Sequence, residues 1–268
     1  MNPASNPESK RWRPTPFLQA SLAVHGGAIA LAAAAPALWP WALATVVLDH
    51  ALVVATGLWP RSTWLGANML RLPEAAALRG EVWITIDDGP EPAVTPKVLK
   101  ILETHGARAS FFCIGKHVTG NAALAREIVA AGHTIENHSE RHAHNFSLLG
   151  PKAMAEEIAR AQDSIGNVTG RQPRYFRAPA GLRNPFLDYV LHKQGLQLVS
   201  WTRRGFDTRE PDADVVLQRL TKNLSGGDIL LLHDAHAATS ANGQPVILDV
   251  LPRLLAQMAS QQLKAVTA

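Results

Sequence analysis

Between residues 17 and 59 the only charged side chain is Asp49. Two apolar runs fill this stretch, FLQASLAVHGGAIALAAAAPALW over 17–39 and WALATVVLDHALVVATGLW over 41–59, with Pro36 and Pro40 at the break. Each approaches the ~20 residues an α-helix needs to cross a hydrocarbon core, so the pattern predicts a transmembrane helical hairpin over 17–60. Trp39, Trp41, Trp59 and Trp64 fall at the ends of the runs, where tryptophan favours the membrane–water interface. A secretory signal has a shorter apolar core and no second span behind it. Two helices buried in a soluble fold are the competing reading, because alanine contributes little to insertion and an Asp at mid-span costs about 2.5–3.5 kcal/mol. Counted back from the turn, His25 and the Asp49–His50 pair lie at comparable depth, so they could meet across the hairpin and share hydrogen bonds.

After Gly80 the period changes. Short β-branched or aromatic runs, EVWITID (81–87), ARASFFC (107–113), HTIEN (133–137), RYFRA (174–178), LQLVSW (196–201), DILLLHD (228–234) and LKAVT (263–267), alternate with helical stretches at 95–104, 121–131, 151–167, 184–193, 211–224 and 246–261. Pro96, Pro151 and Pro185 sit near first turns, where proline is tolerated. Strands alternating with helices predict a parallel sheet of βα units. About seven units in this length favour a small barrel over 80–268, joined to the hairpin through 61–79, with a polar basic tail over 1–16 ahead of it. No G-x-G-x-x-G follows the first strand, which disfavours dinucleotide binding.

The whole chain, 268 residues and 47% hydrophobic, is long enough for such a core. Its formal net charge of +4 is not gathered into a Lys/Arg tract, so nucleic acid is not an expected partner. The single cysteine, Cys113, excludes an intramolecular disulfide and falls in an apolar strand. Lys10, Arg11 and Arg13 precede the first span; Arg61, Arg71 and Arg79 follow the second, and the turn has no basic residue. The positive-inside rule then places both ends, and the barrel, on the cytoplasmic side of the inner membrane.

Chemistry gathers at the strand ends. Asp87 and Asp88 end the first strand, His138 and His142 follow the third, Arg177 ends the fourth, Asp207 lies beyond the fifth and His233 ends the sixth. In βα barrels functional groups collect at the carboxyl ends of the strands. His138 and His142 are four apart and would share a face of a helical turn. With a carboxylate they would form a two-His, one-Asp site with an open position, as catalytic zinc requires. A cation would offset the repulsion between Asp87 and Asp88, and the second carboxylate would remain as a general base. His133 and His144 lie near these residues without an assigned part.

TIDDGP, GHTIENHSERH, FRAPAG, WTRRGFD and LLLHD, in this order over roughly 80–268, resemble the polysaccharide deacetylase family, the NodB-homology carbohydrate esterases. The resemblance implies a distorted (β/α)7 barrel and metal-dependent hydrolysis of an N-acyl group, usually acetyl, from an amino sugar. It implies Asp87 as general base and Asp88, His138 and His142 as ligands of the metal, with zinc favoured and cobalt, nickel or iron able to use the same donors. It further implies that Arg177 orients the base, His233 is the general acid tuned by Asp207, Leu231 walls the acyl methyl, and the Ala180 backbone N–H stabilises the oxyanion.

Two positions depart from the family pattern. Ala180 stands where an aromatic is common, and Thr208 rather than Trp follows Asp207. Losing two stacking platforms argues against an extended polymer. Trp201 either stacks on a sugar or fills the barrel. Arg203, Arg204, Arg209 and Arg183 bring positive charge to the expected rim, and arginine recognises phosphate bidentately. The expected substrate is therefore an acylated amino sugar in a glycan or linked to a lipid. A periplasm-facing deacetylase of peptidoglycan or exopolysaccharide, and a non-catalytic glycan-binding or scaffold barrel, are the alternatives.

Overall fold

The computed structural model describes residues 11–267; Lys10 and the tail ahead of it lie outside the described residues. Helix α1 (Pro16–Ala34) starts at Thr15, whose hydroxyl accepts from Leu18 N, with proline in the first turn. After a 3-10 turn at Pro36–Leu38, α2 (Trp39–Leu58) folds back on α1. The expected cross-hairpin meeting is present: Ser21 Oγ donates to Asp49 Oδ2 at 2.6 Å, His25 Nδ1 lies 3.6 Å from that oxygen, and the His25 and His50 rings are 5.0 Å apart. Both helices are long and apolar enough to cross a membrane, and only 6% and 22% of their apolar windows are buried by the rest of the protein.

A short α3 (Glu74–Leu78) leads into β1 (Glu81–Asp87), six of whose seven residues are buried. There follow α4 (Thr95–Thr104), β2 (Ser110–Cys113), α5 (Gly115–Gly120), α6 (Ala122–Ala130), β3 (Thr134–Asn137) and α7 (Pro151–Thr169). Next come β4 (Tyr175–Phe176), α8 (Leu187–Gln194), β5 (Gln197–Leu198), β6 (Arg203–Arg204), α9 (Ala213–Thr221), β7 (Ile229–His233), α10 (Ile247–Ser260) and β8 (Lys264–Val266). Seven strands curl in the order β5-β4-β3-β2-β1-β7-β6, and β8 pairs with the start of β1. Every ladder between named strands is parallel, as βα units require. Apolar residues of the helices close the outside; α10 buries Val250, Leu251, Leu254, Leu255 and Met258 at helical spacing.

The barrel is open between β5 and β6, which do not pair. The chain arriving from the hairpin lines that gap. Met69 N donates to Leu198 O, Ser200 N donates to Met69 O, and Leu72 N donates to Gly227 O. These bonds satisfy an edge that would otherwise expose unpaired backbone. The hairpin's end is tied to the same region: Arg183 N donates to Gly57 O at 3.1 Å and Arg183 Nη2 to Ser62 O at 2.6 Å. The run 196–201, expected as one strand, is a two-residue strand followed by a bridge of Val199 to Met69, and β6 was not foreseen.

Candidate active site

Parallel register sets the site. Asp87 of β1 stands level with His233 of β7 on one side and Phe112 of β2 on the other, and Cys113 stands level with Asn137 of β3. The residues just after these positions therefore share one rim. They surround a cavity of about 340 Å³ bordered by Asp87, Asp88, His138, His142, Leu231 and His233.

Asp88 is the centre of this arrangement. Among the described residues its Oδ1 is buried without a hydrogen-bond partner, and it lies 3.3 Å from His138 Nε2 and 3.5 Å from His142 Nε2. One ligating atom from each of the three side chains falls within 4.8 Å of the others. His138 Nδ1 donates to the Arg177 carbonyl at 2.8 Å, which fixes the ring's orientation and turns Nε2 to Asp88. An orphaned buried carboxylate oxygen facing two imidazole nitrogens is the donor set that a divalent cation satisfies, so these residues fit the expected metal. Burial alone would raise the Asp88 pKa; the neighbouring imidazoles of His138, His233 and His142 outweigh it and hold the carboxyl well below its ordinary range. Burial and the neighbouring His138 carry His142 down to about 4.

The His-x-x-x-His spacing works here by a different route from the expected helical turn. Residues 138–145 form a loop. Ser139 and His142 take φ of +63° and +50°, conformations that non-glycine residues adopt only when held. Asn137 Oδ1 accepts from Ser139 N at 2.9 Å, and Ser139 Oγ accepts from His142 N at 3.0 Å. This small polar frame folds the two imidazoles onto one carboxylate.

Asp87 lies on the other side of His138, with Oδ2 3.8 Å from its Nε2. Arg177, 1% exposed, donates to Asp87 Oδ1 at 2.6 Å and to Thr85 Oγ1 at 2.7 Å. The carbonyls of Val199 and Ser200 take further guanidinium bonds, and the Phe112 ring lies 4.1 Å from its carbon. Across the cavity, His233 is held twice by Asp207: the ring Nδ1 is 2.9 Å from Oδ1, and the backbone N donates to Oδ2 at 2.7 Å. Burial depresses this imidazole, but Asp207, with Asp87 and Asp88 behind it, raises its pKa to about 9. One rim therefore carries an arginine-held carboxylate and a protonated imidazole.

The remaining expected residues divide. Leu231, 1% exposed, and Ala180, at φ +54°, line the cavity. Trp201 is 7% exposed and forms part of the cavity wall, with the Arg204 guanidinium 5.3 Å from its ring. Arg204 and Arg209 border the cavity. Arg203 does not: its guanidinium bonds Asp228 Oδ2 at 2.8 Å and the carbonyls of Lys222 and Asn223. Nor does Arg183, which clamps the hairpin's end. His144 borders the cavity, whereas His133 is core, accepting from Ala109 N and pushed to about 4 by burial.

Three residues escaped the sequence reading. His236 Nδ1 stands 3.4 Å from Asp88 Oδ2, and His117, on the unforeseen α5, has Nδ1 2.8 Å from the Asp88 carbonyl. Asp234 is buried against Gly89, bonded by the Thr95 hydroxyl, with its pKa raised to about 7 mainly by burial. His236 sits three residues past His233, just beyond the run 228–234, the one signal that could have marked it.

The family profile described as polysaccharide deacetylase matches residues 75–199. A chitooligosaccharide deacetylase of Azorhizobium caulinodans is 35% identical over 157 residues, spanning 58% of this chain and 74% of that protein. The chain belongs to the polysaccharide deacetylase family. A peptidoglycan-N-acetylglucosamine deacetylase of Bacillus cereus is 31% identical over 186 residues, 69% of this chain and 84% of that one. Among solved structures, the family 4 carbohydrate esterase of Streptomyces lividans, in complex with acetate, superposes with a TM-score of 0.63 at 33% identity, covering 70% of this chain and 92% of that chain. The residues matched by the family profile begin after the hairpin.

Proposed function

We propose that this polysaccharide deacetylase family member is a membrane-tethered, metal-dependent hydrolase that removes an N-acyl group, acetyl in the first instance, from an amino sugar. The observation that carries the reading is the orphaned Asp88 Oδ1 facing His138 and His142, set between an arginine-held Asp87 and an Asp207-held His233. Relatives named for N-acetylglucosamine and chitooligosaccharide substrates support the amide and the sugar. Asp88, His138 and His142 would hold the ion, with zinc favoured by two imidazoles and one carboxylate. Bound there, a divalent ion supplies Lewis acidity toward the acyl carbonyl and toward water.

The chain's own residues supply the proton traffic. Asp87 Oδ2 accepts a proton from the attacking water while Arg177 holds Oδ1 and fixes the carboxylate's orientation. His233 donates to the leaving amine, and Asp207 at Nδ1 keeps that imidazole charged and aimed through Nε2. Leu231 walls the acyl methyl, and the Ala180 N–H stabilises the developing oxyanion. The exposed apolar side chains of the hairpin, such as Leu22, Ile29 and Val47 at 67%, 72% and 58%, support insertion in a bilayer, where no water penalises them. The basic residues on either side favour a cytoplasmic barrel at the inner membrane.

The test is acetate release from N-acetylglucosamine oligomers by the full-length chain in detergent. Activity is expected to vanish with a chelator and return with zinc, and His142→Ala is expected to lower bound zinc measured by elemental analysis. Full activity after complete metal removal would overturn the reading.

A further inference from the structure

A second cavity, about 580 Å³, lies where the hairpin meets the barrel, built from Trp59, Pro60 and Arg61 just past α2 and from the β5–β6 region and α9. It shares Trp201 and Arg204 with the catalytic cavity, so the two have a common wall. Its charge is one-sided. Arg61, Arg203, Arg204, Arg219 and Lys222 border it, and among the described residues the carboxylates paired with them are Glu210, 3.2 Å from Arg219, and Asp228, 2.8 Å from Arg203. Among the described residues, Arg61 has a single long hydrogen bond, to Thr202 O at 3.4 Å. Arg204 Nε is buried with no hydrogen-bond partner among the described residues while its guanidinium lies near the Trp201 and Phe206 rings. Cations converging on a concave surface, one with an unsatisfied donor, call for an anion with several oxygens.

Position narrows the ligand. The groove opens at the end of an apolar helix, beside Trp59, which is 57% exposed. This is the level at which tryptophan and lipid phosphates meet water. We propose that this groove binds the phosphate or diphosphate of a lipid-linked acylated amino sugar, with the lipid along α2 and the sugar in the catalytic cavity. Arg203, consumed by Asp228, takes no part; Arg61, contributed by the hairpin side, replaces it. The proposal rests on the deacetylase reading for the sugar's fate and stands on its own for the phosphate.

The experiment uses the full-length chain reconstituted with zinc in detergent and three substrates: a polyprenyl-diphosphate N-acetylglucosamine, a uridine-diphosphate N-acetylglucosamine and a phosphate-free chitotriose. The lipid-linked sugar is expected to have the highest kcat/KM. Arg61→Ala with Lys222→Ala is expected to lower it about tenfold more than it lowers that of chitotriose, the loss expected for charge-assisted bonds. Equal losses on both, or none, overturn the groove; turnover of the nucleotide-linked sugar equal to that of the lipid-linked one overturns the lipid. A second readout needs no turnover: phosphatidylcholine vesicles carrying polyprenyl phosphate are expected to raise the melting temperature of the wild type and not of the double variant. Binding without deacetylation of any substrate would leave the groove standing and remove the deacetylase reading. Chitotriose turnover without polyprenyl phosphate binding would do the reverse.

Discussion

At the scale of single residues, the site is held by two buried charge pairs that do different work. Arg177 and Asp87 lie 2.6 Å apart at 1% and 4% side-chain exposure. Removing one partner leaves the other charge buried alone, which costs about 3–5 kcal/mol. Arg177→Met is therefore expected to lower unfolding free energy by that order in denaturant titration. Adding Asp87→Asn is expected to recover much of the loss without restoring activity; a double variant no more stable than the single would remove the pairing argument. His233 and Asp207 work through protonation. The His233 pKa is raised to about 9, so the pair stabilises the fold fully below the ordinary imidazole pKa of ~6.5 and loses that contribution as pH rises through about 9. Asp207→Asn keeps a bond to the His233 backbone but loses the charge. The alkaline limb of the kcat/KM profile is then expected to move from near 9 toward ~6.5 or below; an unmoved limb would show that His233 is not the proton donor. These residue types were legible at strand ends because acid–base chemistry uses few side chains. The reach of Arg203 was not, since its carboxylate partner Asp228 is 25 residues away.

At the scale of elements, the joint between α2 and the barrel depends on one glycine. Gly57 has no room for a side chain: a Cβ there would overlap the Arg183 carbonyl oxygen, which belongs to the loop after the Pro179–Gly181 turn. Gly57→Ala is expected to destabilise this joint by about 1–3 kcal/mol, as overpacking does. The readout is faster proteolysis within residues 59–66 together with a lower melting temperature; a variant as resistant as wild type would show that the helix end yields freely. The helices were readable because their apolar stripes and prolines act within one or two turns. The four-residue histidine spacing misled for the same reason in reverse. Local periodicity suggests a helix, but Asn137 and Ser139 side chains bond the backbone instead and bend it into a loop.

At the scale of the whole molecule, a catalytic cavity and a cationic groove meet where two apolar helices end. Topology decides which substrates can reach them. A reporter active only in the cytoplasm, fused after Ala268, is expected to give signal, and one active only outside is expected to be silent. The opposite pattern would point to exported glycans as substrate and remove the inner-leaflet lipid.

The sequence by itself determined the alternation of strands and helices and the apolar hairpin, which are signals of period and local composition, and through its ordered motifs the family; it also set Asp87, Asp88, His138, His142, Arg177, Asp207 and His233 at or just beyond strand ends as candidates. Only the tertiary structure decided which arginines border the catalytic cavity, how residues 69–72 line the gap between β5 and β6, and that Arg61 joins Arg204 and Lys222 in one groove. The contacts of Arg61 and of residues 69–72 join positions more than a hundred residues apart. No local pattern encodes them; they follow from strand register and from the burial that closes the barrel around it.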